Sequence, residues 1–271
     1  MRLRLLYGFA LLLAATAANG QRRYAGFDRN VYPGTAALHD LHKSFAFTGY
    51  WLNNPPGTTQ NTWLGHRKEL RAAGFGFLVL WNGRLDREIK SAGIAPGELG
   101  RQDAGAAIAS AHSEGFPPHT ILFLDQEEGG RLLPEQAAYF FAWTEAIAAS
   151  EYRPGAYVSG QPAPDGGTAT ITTAQDIALR LSAGHLHPVA LWVVQDGCPP
   201  APGCVVPPPP LAASGTPDAV AWQYAQSPRR KQLTDACAAT YSRDNQCYAP
   251  GSTSLFLDMD VAAVADPSHG R

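Results

Sequence analysis

Short apolar runs alternate with amphipathic stretches along almost the whole chain, and this alternation limits the architectures open to it. Runs at Tyr24–Asp28, Phe45–Tyr50, Gly76–Trp81, Thr120–Asp125, Arg153–Val158, Val189–Gln195, Ala219–Tyr224 and Ser254–Asp258 read as strands. Helical spacing lies between them at Trp63–Ala73, Gln102–Glu114, Pro134–Ser150 and Thr172–Gly184. Strands apolar on both faces and separated by helices predict a parallel sheet. Eight of them in roughly 250 residues predict an α/β protein, a single (β/α) TIM-type barrel over residues 21–271. The proline-rich stretch 199–210 reads as a loop insertion in the C-terminal third, because strand-like sequence resumes after it. No internal repeat is visible.

Residues 1–20 have a different character. Arg2 and Arg4 precede an apolar stretch from Leu5 to Ala15, and Ala18-Asn19-Gly20 is a small-x-small cleavage pattern. The stretch is about half the ~20 residues that a membrane helix needs, so it reads as a cleaved signal peptide. The expectation is a secreted or periplasmic protein with no membrane association once the signal is removed. An exported chain with four cysteines, Cys198, Cys204, Cys237 and Cys247, favours disulfides over a metal site. Three pairings are possible; the local ones, Cys198–Cys204 and Cys237–Cys247, are the simplest.

With 21 Lys plus Arg against 23 Asp plus Glu, the chain has no cationic excess, which argues against a nucleic-acid partner. No phosphate-binding loop or dinucleotide fingerprint occurs, so no nucleotide or other cofactor is expected. The histidine pairs His39/His42 and His185/His187 lack a third nearby ligand, and no metal is expected. A nucleophile elbow is also missing around Ser159.

In a (β/α) barrel the functional side chains sit at the carboxyl ends of the strands. Here the fourth apolar run passes straight into Asp125-Gln126-Glu127-Glu128. Asp125 and Glu127 leave one face of an extended chain with Cα atoms ~6.6 Å apart. Two carboxyls so placed can hold different protonation states, as acid–base chemistry requires. The simpler alternative is that they cap the next helix or pair with Arg131. Other strand ends add Asp28, Tyr50, Trp81, Tyr157, Trp192, Gln195, Trp222, Gln223, Asp258 and Asp260. Aromatic faces beside hydrogen-bonding groups suit sugar rings, so these ten are candidate substrate-binding residues.

The ordered set Gly-Phe-Asp28, Leu-Asp125-Gln-Glu127, Trp222-Gln223-Tyr224 and Leu-Asp258-Met-Asp260 resembles family 25 glycoside hydrolases, secreted lysozymes on a modified barrel. Gly49-Tyr50, Ala73-Gly74-Phe75 and the helix around Asp103-Ala104 look closer to a related bacterial group, the glycoside-hydrolase-like domain of unknown function 1906. The resemblance covers about residues 24–262. It implies Glu127 as general acid, Asp125 as the carboxylate that steadies developing charge, and Asp28 with Asp258 or Asp260 in the same pocket. Phe123 stands where family 18 chitinases carry a further acid, which speaks against a chitinase. Glu128, Gly129-Gly130 and the Cys198–Cys204 segment depart from the lysozyme pattern. The implied function is an exported glycoside hydrolase of the lysozyme or muramidase type. Its substrate partner would be an N-acetyl-sugar polysaccharide, such as peptidoglycan. The alternative is a non-catalytic barrel that binds glycan in the same cleft.

Overall fold

A computed structural model describes residues 22–271; the expected signal segment, 1–20, lies outside the described residues. Eight strands close a barrel in sequential order: β1 (Tyr24–Asp28), β2 (Phe47–Trp51), β3 (Gly76–Asn82), β4 (Ile121–Gln126), β5 (Arg153–Ser159), β6 (Ala190–Val194), β7 (Ala221–Ala225) and β8 (Asp258–Ala262). A two-residue ribbon, Ala163–Pro164 with Thr170–Ile171, stands outside it.

Neighbouring strands from β1 to β7 run parallel, as expected. The last strand corrects the sequence reading twice. It begins at Asp258 instead of ending there, and it runs antiparallel to both β7 and β1. The long connection from residue 226 to 257 brings the chain back to the mouth before it enters the sheet, so β8 descends where the others rise. Reversal of both direction and start leaves Asp258 at the same mouth, directly opposite Asp28.

Local sequence sets the helices. Pro96 and Pro134 occupy first-turn positions in α4 (Pro96–Glu114) and α5 (Pro134–Ala148), where a missing N–H costs nothing. Thr172 caps α6 (Thr173–Gly184), accepting from Gln175 N–H at 3.0 Å while the Gln175 side chain accepts from Thr172 N–H at 2.9 Å. Gly100 lets α4 meet α5 closely: a Cβ there would lie 2.3 Å from the Tyr139 carbonyl oxygen. The helix expected from Trp63 starts only at Arg67, because Trp63 N–H is taken by Asn61 Oδ1 and Gly65 sits at φ +86°. The other helices are α1 (Thr35–His42), α2 (Arg67–Ala72, the one that starts at Arg67), α3 (Asp86–Ser91) and a single turn at Lys231–Thr234.

The C-terminal tail closes the opposite end. Asp266 and Ser268 side chains accept from Phe77 and Val79 N–H, and Ser268 C=O accepts from Ile121 N–H. The tail thus wedges between the starts of β3 and β4. Among the described residues no helix is long and apolar enough to cross a membrane.

The disulfides differ from the local pairing. Cys198 bonds Cys237 and Cys204 bonds Cys247, with Cα atoms 5.7 and 5.3 Å apart. The proline-rich loop does not fold on itself but lies against the segment beyond residue 230. Cys198 N–H donates to Leu233 C=O, and Cys204 N–H to Thr240 Oγ1, so each cysteine faces that segment.

Candidate active site

Side chains on adjacent parallel strands share a face when their residues are paired in register. Starting from Asp28, that rule sorts the whole mouth. Gly26 and Asp28, Gly49 and Trp51, Leu80 and Asn82, Phe123 and Asp125, Tyr157, Trp192 and Gln223 fall on the inner face. Their neighbours in sequence fall on the outer face, against the helices. A cavity of about 120 Å³ opens at the mouth, lined by Asp28, Asp125, Glu127, Tyr157, Trp192, Gln223 and Asp258 among others. It adjoins a hollow of about 380 Å³ that shares Glu127, Tyr157 and Gln226 and extends to Arg230. A larger hollow of about 690 Å³ lies between α1 and the segment 249–255, with Asp40 as its one acid. Volume does not choose the site here; the clustering of carboxyls does.

Gly26 and Gly49 make room for this cluster. A Cβ on Gly26 would lie 2.0 Å from the Phe47 ring, and one on Gly49 would lie 2.7 Å from Asp28 Cβ. Below the mouth, Phe123 and Tyr157 pack edge-on against Trp192, and Trp192 Nε1–H donates to Asp260 Oδ1 at 3.1 Å. A relay of amides and a phenol fixes the inner wall. Gln226 Nε2 donates to Tyr157 Oη at 3.2 Å, and Tyr157 donates to Gln223 Oε1 at 2.7 Å. Gln223 Nε2 donates to Asp28 Oδ2 at 2.7 Å.

Five acids crowd this space. Burial, partly offset by hydrogen bonds from Gln223 and Asp260 and reinforced by the nearby Glu127 charge, pushes Asp28 up to about 6. Burial and the charges of Glu127 and Asp28 hold Asp125 well above the ordinary carboxylate range. Asp258 and Asp260 are also held high, by burial first and then by the charge of Asp28. Glu127 stands at the rim, open to solvent; its crowded base raises it, while the Arg230 guanidinium pulls the other way. Of the two, Asp125 is held further above its ordinary range. Asp125 is the more buried of the two, and only Glu127 has a cation nearby. Asp125 Oδ1 is buried with no hydrogen-bond partner. Arg230 itself is held by Asp196 (Nε to Oδ2, 2.8 Å), which Gln161 also supports at 3.0 Å. Among the described residues no three His, Cys, Asp or Glu side chains are arranged to hold a metal ion.

Neither carboxyl of the pair is bound by Arg131, which joins Asp165 and Asp176 instead. The extra acid Glu128 turns away to accept from Asp86 N–H and the Gln136 side chain. Asp260 lies beneath the cavity, not on its wall. Three expected residues point elsewhere because they have the outer parity. Tyr50 is buried under the helices with its hydroxyl on Glu114, Trp222 is buried with Nε1–H on Gln195 C=O, and Trp81 lies on the outer side of β3. Gln195 ties loops together, donating to Gly160 C=O and accepting from Gly197 N–H. Sequence reasoning missed Trp51, Asn30, Gln226 and Arg230. Trp51 was accessible through parity, two residues on from Gly49; Gln226 and Arg230 lie in an irregular loop with no such signal.

Two solved structures with TM-scores above 0.5 share the barrel, and a third of lower score is also similar. An uncharacterized protein of B. stearothermophilus is 17% identical with a TM-score of 0.55, over 88% of this chain and 95% of that one. The Mycobacterium tuberculosis Tat-secreted protein Rv2525c, in complex with HEPES, is 13% identical with a TM-score of 0.51, over 92% and 97%. A family GH25 lysozyme from Aspergillus fumigatus is 13% identical with a TM-score of 0.43, over 89% and 94%. No curated protein matches the chain. The family model described as Rv2525c-like, glycoside hydrolase-like domain matches residues 46–197, from the start of β2 to just past β6 and through Asp125 and Glu127. The chain belongs to this Rv2525c-like, glycoside hydrolase-like family.

Proposed function

We propose that the protein is an exported glycoside hydrolase acting on a cell-wall or related polysaccharide of N-acetyl sugars, with Glu127 as general acid and Asp125 as the charge-stabilising carboxylate. The observation that carries the reading is the Asp125 carboxyl, buried at the cavity wall with Oδ1 unpaired beside Glu127. A buried acceptor without a donor is costly, and an incoming N–H relieves that cost. The acetamido N–H of an N-acetyl sugar is such a donor. Its bond to Oδ1 favours ionised Asp125, and the proton shared by the pair then rests on Glu127.

Chemistry follows from that transfer. Glu127 gives its proton to the glycosidic oxygen as the C1–O bond breaks. The acetamido carbonyl oxygen closes onto C1, and the positive charge on the resulting ring is balanced by Asp125. Glu127, now a carboxylate, takes a proton from the water that attacks C1, which restores both the acetamido group and the acid. Retaining enzymes with a carboxylate nucleophile place their two acids on opposite sides of the bond; two acids on one strand suit the substrate's own nucleophile better. Export is supported by the pattern of residues 1–20 and by the two disulfides. The structurally similar Rv2525c is a Tat-secreted protein.

The test is incubation of the mature protein with purified peptidoglycan and a panel of polysaccharides, followed by mass analysis of soluble products. New reducing ends on N-acetyl-sugar polymers, and none on polymers without the acetamido group, are expected. Co-sedimentation with glycan and no new ends would show a binding barrel in place of the enzyme.

A further inference from the structure

Five of the six tryptophans are buried; Trp81 is not. Trp51, Trp63, Trp192 and Trp222 each donate the indole N–H to a protein oxygen; the buried Trp143 and the half-buried Trp81 donate to none among the described residues, and of these two only Trp81 can reach an incoming ligand. It forms one wall of a hollow of about 410 Å³ at the ends of β2 and β3, with Asn53, Asn54, Arg84 and Asp103 around it. Arg84 is fixed there. Its Nε and Nη2 donate to the two Asp103 oxygens at 2.6 and 2.9 Å, and Tyr139 steadies Asp103 with a further bond at 2.8 Å.

This hollow is next door to the carboxyl pair. Asn82, the residue after Trp81, is paired in register with Asp125, and strands so paired lie ~4.8 Å apart. Gly83 N–H donates to the Asp125 carbonyl oxygen at 3.2 Å, and a Cβ on Gly83 would come within 2.4 Å of that oxygen. The partition between the two spaces is the Asn53–Asn82 contact, with Asn53 Nδ2 on Asn82 C=O at 2.9 Å and Asn82 N–H on Asn53 Oδ1 at 2.7 Å. A polymer seated on Asp125 and continuing across the edge of the mouth over β3 meets this hollow.

We propose that the hollow over Trp81 is a second glycan subsite, taking a neutral pyranose of the same strand that is cleaved at Asp125 and Glu127. The inference rests on the glycosidase reading for its ligand class. The indole offers an apolar face to ring C–H groups, and the asparagines and guanidinium offer flat hydrogen-bonding edges to hydroxyls. The Arg84 charge is already balanced by Asp103, and Glu88 adds a further carboxylate to the lining, so the hollow has no net cation to select an anionic sugar.

Binding is measured in the full chain carrying Glu127→Gln, which holds glycan uncleaved. The probes are soluble peptide-free peptidoglycan strands, long ones and disaccharides. Trp81→Ala in that background is expected to weaken long-strand binding about five- to tenfold and to shrink the preference for long strands by the same factor. Trp81→Phe should recover most of the loss. A second readout requires no substitution at Trp81: N-bromosuccinimide oxidises this half-buried indole before the five buried ones, and long strands should protect it, as located by peptide mapping. Strands that bind while Trp81 is oxidised at an unchanged rate overturn the subsite and leave the catalytic reading intact. If neither the parent nor Glu127→Gln binds any strand, the glycosidase reading fails, and the subsite with it.

Discussion

Asp28 and Asp258 face one another in register across the antiparallel pair that closes the barrel. Like charges so placed are destabilising, and both carboxyls are held above their ordinary range. Ionising both therefore costs stability, and the pair favours its protonated forms.

That cost has a definite pH dependence. Asp28 has a folded pKa of about 6 against an ordinary value of 3.8. Its folded state binds more protons than the unfolded chain between those values, so stability is greatest below the lower one and falls as pH rises through the upper. Asp28→Asn keeps an acceptor for Gln223 and removes the ionisation. It should raise the unfolding free energy above pH 7 by on the order of 1–3 kcal/mol, with a higher melting temperature there, and flatten the profile between roughly pH 4 and 7. Thermal melts across that range check it; a loss of stability above pH 7 would contradict it.

The non-local disulfides close chain separations of 39 and 43 residues. On the loop-closure argument each is worth about 4 kcal/mol. Non-reducing peptide mapping should recover Cys198 with Cys237 and Cys204 with Cys247, and reduction should lower the denaturation midpoint markedly. Recovery of Cys198 linked to Cys204 would refute the pairing.

Two glycines give opposite results on replacement by alanine. Gly26→Ala drives a methyl into the Phe47 ring and should cost about 1–3 kcal/mol. Gly105, inside α4 with nothing within 4 Å of its added Cβ, should gain roughly 0.5–1 kcal/mol. Chemical denaturation of both variants decides the matter, and equal effects would show the barrel interior looser than described.

Most of the barrel was legible from the chain because apolar runs such as Ile121–Leu124 must be buried on both faces, and helical spacing between them leaves few alternatives. Asp125 and Glu127 stood out because charge follows directly on such a run. What stayed hidden was set by tertiary geometry. The direction of β8 depends on where the 226–257 connection delivers the chain, which no local pattern encodes. Tyr50, Trp81 and Trp222 were assigned to the mouth by proximity to strand ends, whereas parity turns them outward and brings Trp51 in. The cysteine partners follow from a loop packing on a distant segment, which spacing alone does not reveal.

The central claim is that Glu127 delivers the proton to the glycosidic oxygen, and the direct measurement is the rate of reducing-end release from purified peptidoglycan by the parent and by Glu127→Gln. The amide preserves shape and glycan binding but has no proton to give. The account predicts measurable release by the parent and a fall of about 10²–10⁴-fold in the variant, with binding retained. Equal rates in the two proteins, or no release by the parent from any N-acetyl-sugar polymer, would contradict it.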